Sequence, residues 1–194
     1  NLISSMIDKK GNLFENKKKF TLNASTKDLK KELQAQIDLA KSIGIKPTHI
    51  DSHEGALFFD QNIFKTYLEV GEENQLPVFV PRDVAVHFDK SFPKPENVVI
   101  VENFHMALPS LEFKDWNNYY INIIENLKPG LSEIIVHLGY DDKEMQQITV
   151  EHPNYGSKWR DLDMEVVSSE NFKQALKDNN IKLVTWREIK NIIY

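Results

Sequence analysis

The chain contains no cysteine among its 194 residues. That excludes thiolate nucleophiles, disulfides, iron–sulfur clusters and thiolate zinc sites, so any metal has to be held by histidine, carboxylate or water. Arginine is almost as scarce, with Arg82, Arg160 and Arg187 as its three occurrences. The 29 acidic residues outnumber the 24 basic ones, giving a net charge of -5. A dense basic face for nucleic acid or polyphosphate is therefore missing. The lysine clusters at 17–19 and 27–31 lie among acids and asparagines and read as solvated surface. Glycine is sparse as well: none of the seven falls in a GxGxxG or GxxxxGK[ST] phosphate loop. No apolar run approaches the roughly 18 residues that span a bilayer, and Asn1 does not open a signal peptide, so a cytoplasmic protein is expected.

What is present is enough apolar content, 41%, for one sizeable core, and a single domain over 1–194 is expected. The stretch STKDLKKELQAQIDLAKSIG reads as an amphipathic helix, with Ser25 or Thr26 as cap, Leu29, Leu33, Ile37 and Leu39 on one stripe, and Gly44 as stop. The strand-like PTHIDSH follows, then the helical NIFKTYLEVGEENQ and the short apolar run LPVFVPR. VVIVEN, the helical DWNNYYINIIENLKPG and the strand LSEIIVHLG continue the alternation. A long polar stretch from Tyr140 to Ser168 carries one short helix near Asp142 to Ile148. The helix SENFKQALKDNN, the strand IKLVTW and a last helix, REIKNII, close the chain.

Strands that alternate with helices of ten or more residues imply βαβ units, an α/β class and a mainly parallel sheet. An open doubly wound sheet loses ground for want of a phosphate-binding turn. A barrel gathers its reactive groups at the carboxyl ends of its strands, which is where His53, Arg82, Glu102 and His137 fall.

Two motifs carry the chemistry. In THIDSHEG, strand alternation puts His49, Asp51 and His53 on one face and Ile50 and Ser52 on the other. His53, nearest the carboxyl end, is the better ligand candidate, and His49 is expected to orient or pack. A polar strand face meeting solvent is the simpler alternative. In EIIVHLGYDD an apolar strand ends on His137, with Gly139 expected to let the backbone turn.

Together, PTHIDSHEG and SEIIVHLGYDD resemble the YdjC-like family of carbohydrate deacetylases, which includes chitooligosaccharide deacetylase and carries THxDSHxH or THxDSHMG and, later, ExxxHPGxxD. The closing WRDLDMEVVSSENFKQALKDNNIKLVTWREI is similar to the family's last segment, and the likeness runs from about SSMIDKKGNLF onward. Leu138 replaces the family's usual proline, and Glu54 stands where histidine or methionine is more usual.

The resemblance implies a (β/α) barrel-like deacetylase that removes acetyl groups from N-acetylated sugars with a divalent metal ion, magnesium or zinc. His53 and His137 match its two histidine ligands. Its third ligand belongs to an ADDFG-like motif that this sequence does not contain, nor is the following glycine-histidine-leucine segment found. The expectation is thus a barrel lacking its first βα units.

Among the chain's other polar residues, Asp51 is expected to orient a histidine, and Arg82 and Arg160 either hold sugar hydroxyls or orient the base, or form structural ion pairs. Trp159, Trp186 and Tyr140 are either sugar-stacking platforms or packing residues. His87, His105 and His152 read as surface loop residues. The expected partner is a small-molecule or oligosaccharide substrate, with no nucleic acid, no membrane, and a homodimer as the assembly to test. Two other classes remain open: a non-catalytic carbohydrate-binding or regulatory barrel, and another metal-dependent hydrolase such as a phosphoesterase.

Overall fold

The structure, a computed structural model, describes residues 3–88 and 98–194. In chain order the elements are α1 (Lys17–Asn23), α2 (Thr26–Ser42), α3 (Gln61–Glu73), β1 (Phe79–Pro81), α4 (Arg82–Phe88), β2 (Val99–Val101) and β3 (Asn103–Met106). They continue with α5 (Trp116–Asn126), β4 (Ser132–Ile135), α6 (Lys143–Ile148), α7 (Ser157–Ser168), α8 (Glu170–Asp178) and α9 (Trp186–Ile193). The chain divides into two compact units, Asn1–Ile100 with Val184–Tyr194, and Val101–Leu183.

In the first unit, α2 starts where the Ser25 side chain accepts the Asp28 amide, and it ends before Gly44, whose φ of 88° suits a residue without a Cβ. Leu29 and Ile37 are buried and Leu33 packs beside them, but Leu39 is 64% exposed. At about 100° per residue, Leu39 lies some 200° round the helix from Ile37, off the stripe to which the sequence reading assigned it. Helix α3, capped by Asp60, buries Ile63, Phe64, Tyr67, Leu68 and Val70. Each large side chain removed from water there contributes about 1.5–3 kcal/mol. Gly71 lets α3 settle against the chain: a Cβ on it would lie 2.3 Å from Val78 Cγ1 and 2.9 Å from Leu76 O.

The expected strand PTHIDSH is reduced to one parallel bridge, Ile50 to Val78. The Tyr67 hydroxyl, fully buried, shares its proton between Ile50 O at 2.9 Å and Phe79 O at 3.1 Å and ties this segment to β1. β1 in turn pairs with β2.

The second unit is built on β3 and β4, parallel and in register from Asn103 opposite Ser132 to Met106 opposite Ile135. Helix α5 covers them with Trp116, Tyr120, Ile123 and Ile124, an i, i+4, i+7, i+8 face. Tyr119 Oη donates to the carbonyl of Met106, the last residue of β3, at 2.8 Å. Trp159, Val166 and Phe172 from α7 and α8 complete the core.

The α/β class and the parallel pairing agree with the sequence reading. Among the described residues the named strands pair in twos. Two local expectations are corrected. IKLVTW forms no strand, and Leu183 and Val184 are 73% and 44% exposed, since β-forming side chains stay irregular where no sheet face takes them. The polar stretch 140–168 holds, besides the expected α6, the twelve-residue α7, whose buried Trp159, Asp163 and Val166 sit at i, i+4, i+7.

Candidate functional site

THIDSHEG lies in the first unit and follows the expected alternation. Ile50 packs toward the core and Ser52 is buried, its hydroxyl accepting the Leu57 amide at 2.9 Å, while Asp51 and His53 are exposed. His53 does not end a strand; it opens a 3-10 turn over His53–Phe58. Within the turn Glu54 and Gly55 have φ of 52° and 67°, so the chain reverses through two successive left-handed residues. Glu54 reaches Lys17 Nζ at 3.2 Å, and Lys17 also donates to the Glu54 carbonyl at 3.3 Å. That ion pair is exposed and adds little to stability, yet it marks where the non-glycine residue in the strained position is restrained.

His49 is half-buried and stacks on Trp186, with ring centroids 4.5 Å apart and planes at 6°. Burial lowers its pKa, partly offset by the negative charge of Asp51. The packing role expected of His49 thus holds, and Trp186 lends a ring face to it. Asp51 Oδ1 accepts the Ser52 amide at 2.6 Å. Arg82 is exposed and opens α4 directly after β1.

The second unit carries HLG. His137 lies two residues beyond β4, its backbone N–H donating to Asp163 Oδ2 at 2.8 Å. Asp163 is fully buried on α7, and its Oδ1 accepts Trp116 Nε1 at 2.9 Å and the Tyr120 hydroxyl at 2.6 Å. A buried carboxylate is tolerable when its lone pairs are filled in this way. Burial and the neighbouring Asp163 push the Tyr120 phenol up, which keeps it a donor. An aromatic column adjoins: the His137 ring is 4.8 Å from Tyr155, Tyr155 is 4.4 Å from Trp159, and Trp159 meets Trp116 edge-on at 4.7 Å. Arg160 Nε donates to the Tyr155 carbonyl at 2.8 Å, and Tyr155 itself has a φ of 61°.

Gly139 gives room beside Met145 and Arg160 instead of supplying the expected left-handed turn. It lacks a positive φ, but a Cβ would lie 3.0 Å from Met145 Cε and 3.3 Å from Arg160 Cβ. Trp159 is 3% exposed and packs as core; Tyr140 is 67% exposed. His105 is half-buried on β3, not in a loop, and burial lowers its pKa. His87 lies in the last turn of α4 against Phe88, and His152 is exposed. Sequence reading missed Asp163 and its partners Trp116 and Tyr120. The signal was there: two pairs spaced i, i+4, Trp116 with Tyr120 and Trp159 with Asp163, each buried on its own helix.

The model of the YdjC-like protein family matches residues 1–178. The chain belongs to the YdjC-like family. Proteins named carbohydrate deacetylase from Thermoanaerobacter pseudethanolicus and Clostridium beijerinckii are each 24% identical to it, over 97% and 96% of this chain and 70% and 71% of their own. A protein of that name from Geobacillus stearothermophilus is 22% identical over 96% of this chain and 69% of its own. The fold is that of an Enterococcus faecalis crystal structure, described as a candidate cellobiose-phosphate cleavage protein, with a TM-score of 0.75, 18% identity and coverage of 97% of this chain and 70% of that one.

His53 and His137 are suitable nitrogen donors, but among the described residues no three histidine, aspartate or glutamate side chains gather to hold an ion. Among those residues, too, no helix is long and apolar enough to cross a membrane.

Proposed function

We propose that this chain is a carbohydrate deacetylase that hydrolyses the acetamide of N-acetylated sugars or oligosaccharides. The observation that carries the reading is the alignment of proteins named carbohydrate deacetylase along nearly the whole chain. The two histidine motifs stand in support. In the reaction water adds to the acetyl carbonyl, the C–N bond breaks, the sugar nitrogen takes a proton, and acetate leaves.

In this reading His53 and His137 hold a divalent cation, zinc or magnesium, together with a donor outside those that the described residues bring together. Such a cation, when bound, polarises the carbonyl and acidifies water. The work of the chain's own residues is positional. Asp163 fixes the peptide of His137, the Tyr155 ring borders the imidazole, and Arg160, anchored through Nε to the Tyr155 carbonyl, directs its guanidinium to sugar hydroxyls or a carboxylate. Arg82 is assigned a similar hydroxyl-binding role, and Asp51, beside His49 and His53 on the polar face, orients an imidazole. A (β/α) barrel remains the arrangement that the family resemblance implies, with Arg82 directly after β1 and His137 two residues beyond β4 as the groups nearest strand ends.

A non-catalytic carbohydrate-binding role is favoured by one observation, the lack of a three-donor cluster among the described residues. Acetate release from N,N′-diacetylchitobiose, with zinc or magnesium added, separates the two. Deacetylation is expected. Sugar binding without acetate release would install the non-catalytic role instead, and phosphate release from a sugar phosphate would move the chain to the phosphoesterases.

A further inference from the structure

We infer that Asp163 is a positioning residue: it sets where His137 stands by holding that residue's backbone N–H, and it is itself held by two aromatic donors from another helix. The inference rests on the reading of His137 as a site residue.

The β3–β4 ladder ends at Ile135, and among the described residues no sheet pairing extends to Val136 or His137. A backbone N–H just past a strand has to find another acceptor, and here the acceptor is the Oδ2 of Asp163, at 2.8 Å. That carboxylate cannot shift to follow the strand end. It is fully buried, and its other oxygen accepts Trp116 Nε1 and Tyr120 Oη, which are one turn apart on α5. Trp116 and Tyr120 are themselves 1% and 0% exposed. Three donors around one carboxylate thus connect α5, α7 and the end of β4 at a single point. Next door Tyr119 bonds the carbonyl that ends β3, so of two consecutive tyrosines on α5 one holds the end of β3 directly and the other reaches the chain beyond β4 through Asp163.

The chemistry of the site requires an acceptor-only group. All three atoms that face the carboxylate are donors, and an asparagine carboxamide would turn an NH2 toward one of them whichever way it flipped. Asparagine keeps the size and loses the clasp. Tyr120→Phe is the graded comparison, because it removes one bond from Oδ1 and leaves the Oδ2 bond to His137 in place.

Two measurements test this. In the unaltered protein the His137 amide should exchange with solvent at least about a hundredfold more slowly than an open loop amide, as a core hydrogen bond does although it lies outside the sheet. An exchange rate equal to that of the neighbouring Leu138 would overturn the inference, whether or not any variant folds. In variants, Asp163→Asn should lower kcat on N,N′-diacetylchitobiose about tenfold or more with KM within about twofold, and should shift the His137 imidazole resonances. Tyr120→Phe, which keeps the Oδ2 acceptor and the Trp116 donor, should lower thermal stability and move kcat and those resonances less than Asp163→Asn does. Equal losses of kcat in both variants would reduce Asp163 to a structural residue. If the unaltered protein releases no acetate, the deacetylase reading falls, and the exchange rate and ring resonances of His137 still decide the inference.

Discussion

Two tryptophans of similar burial should respond very differently to the same substitution. Trp116 and Trp159 are 1% and 3% exposed and touch edge to face, but Trp116 Nε1 donates to Asp163, whereas Trp159 Nε1 is buried with no hydrogen-bond partner among the described residues. Replacing either by phenylalanine removes part of a ring and leaves a small cavity, about 1–2 kcal/mol in each case. At Trp116 the lost bond to a carboxylate adds about 1.5–3 kcal/mol; at Trp159 the substitution removes an unsatisfied donor and returns about 1–3 kcal/mol. Trp116→Phe should therefore cost about 3–5 kcal/mol and Trp159→Phe close to nothing. At about 2–4 °C per kcal/mol for a chain of this size, the two melting temperatures should differ by about 6–20 °C. Thermal unfolding followed by far-ultraviolet circular dichroism suffices, since Trp186 is then not needed as a reporter. Equal melting temperatures would show that Asp163 gains nothing from Trp116 and would undo the account of the clasp.

Stability should also fall in acid because of His49. Burial lowers its pKa below the ordinary 6.5, so the unfolded chain takes up its proton first and stability is lost as pH falls from about 6.5 toward the lower folded value. His49→Phe, which keeps a ring on Trp186, should shrink the drop in melting temperature between pH 7.5 and pH 5; an unchanged drop would place the effect elsewhere. Thr185 Oγ1 accepts the Glu188 amide and the Thr185 amide donates to Glu188 Oε2 in return, so Thr185→Ala should cost about 0.5–2 kcal/mol in urea unfolding and loosen Trp186 at the start of α9. Gly139→Ala drives a methyl against Met145 and Arg160 and should reduce acetate release more than Gly11→Ala, which strains a backbone with φ of 87° but meets no atom within 4 Å.

The helices were largely legible because their signals are local. Ser25, Asp60 and Asp142 each cap the helix that their position announces, and the Leu29, Leu33, Ile37 stripe faces the core as spacing requires. Helix α7 was obscured because Arg160, Asp161, Asp163 and Glu165 make its window look polar, although one of those charges, Asp163, is fully buried. The site was half legible. The alternation in THIDSHEG correctly separated Ile50 and Ser52 from Asp51 and His53, but the clasp on His137 joins residues 116, 120, 137 and 163, and no spacing rule reports a contact across such separations. Gly139 shows the same limit: whether a glycine supplies a turn or room depends on what stands opposite, here Arg160.

The most direct test of the functional reading is a double-mutant cycle on acetate release with His53→Ala, His137→Ala and the pair. Two histidines that serve one ion act as a unit, so each single substitution should lower kcat/KM by about a hundredfold or more and the double variant should be hardly worse than either alone. Losses that multiply, or an unimpaired single variant, would contradict a shared role for His53 and His137.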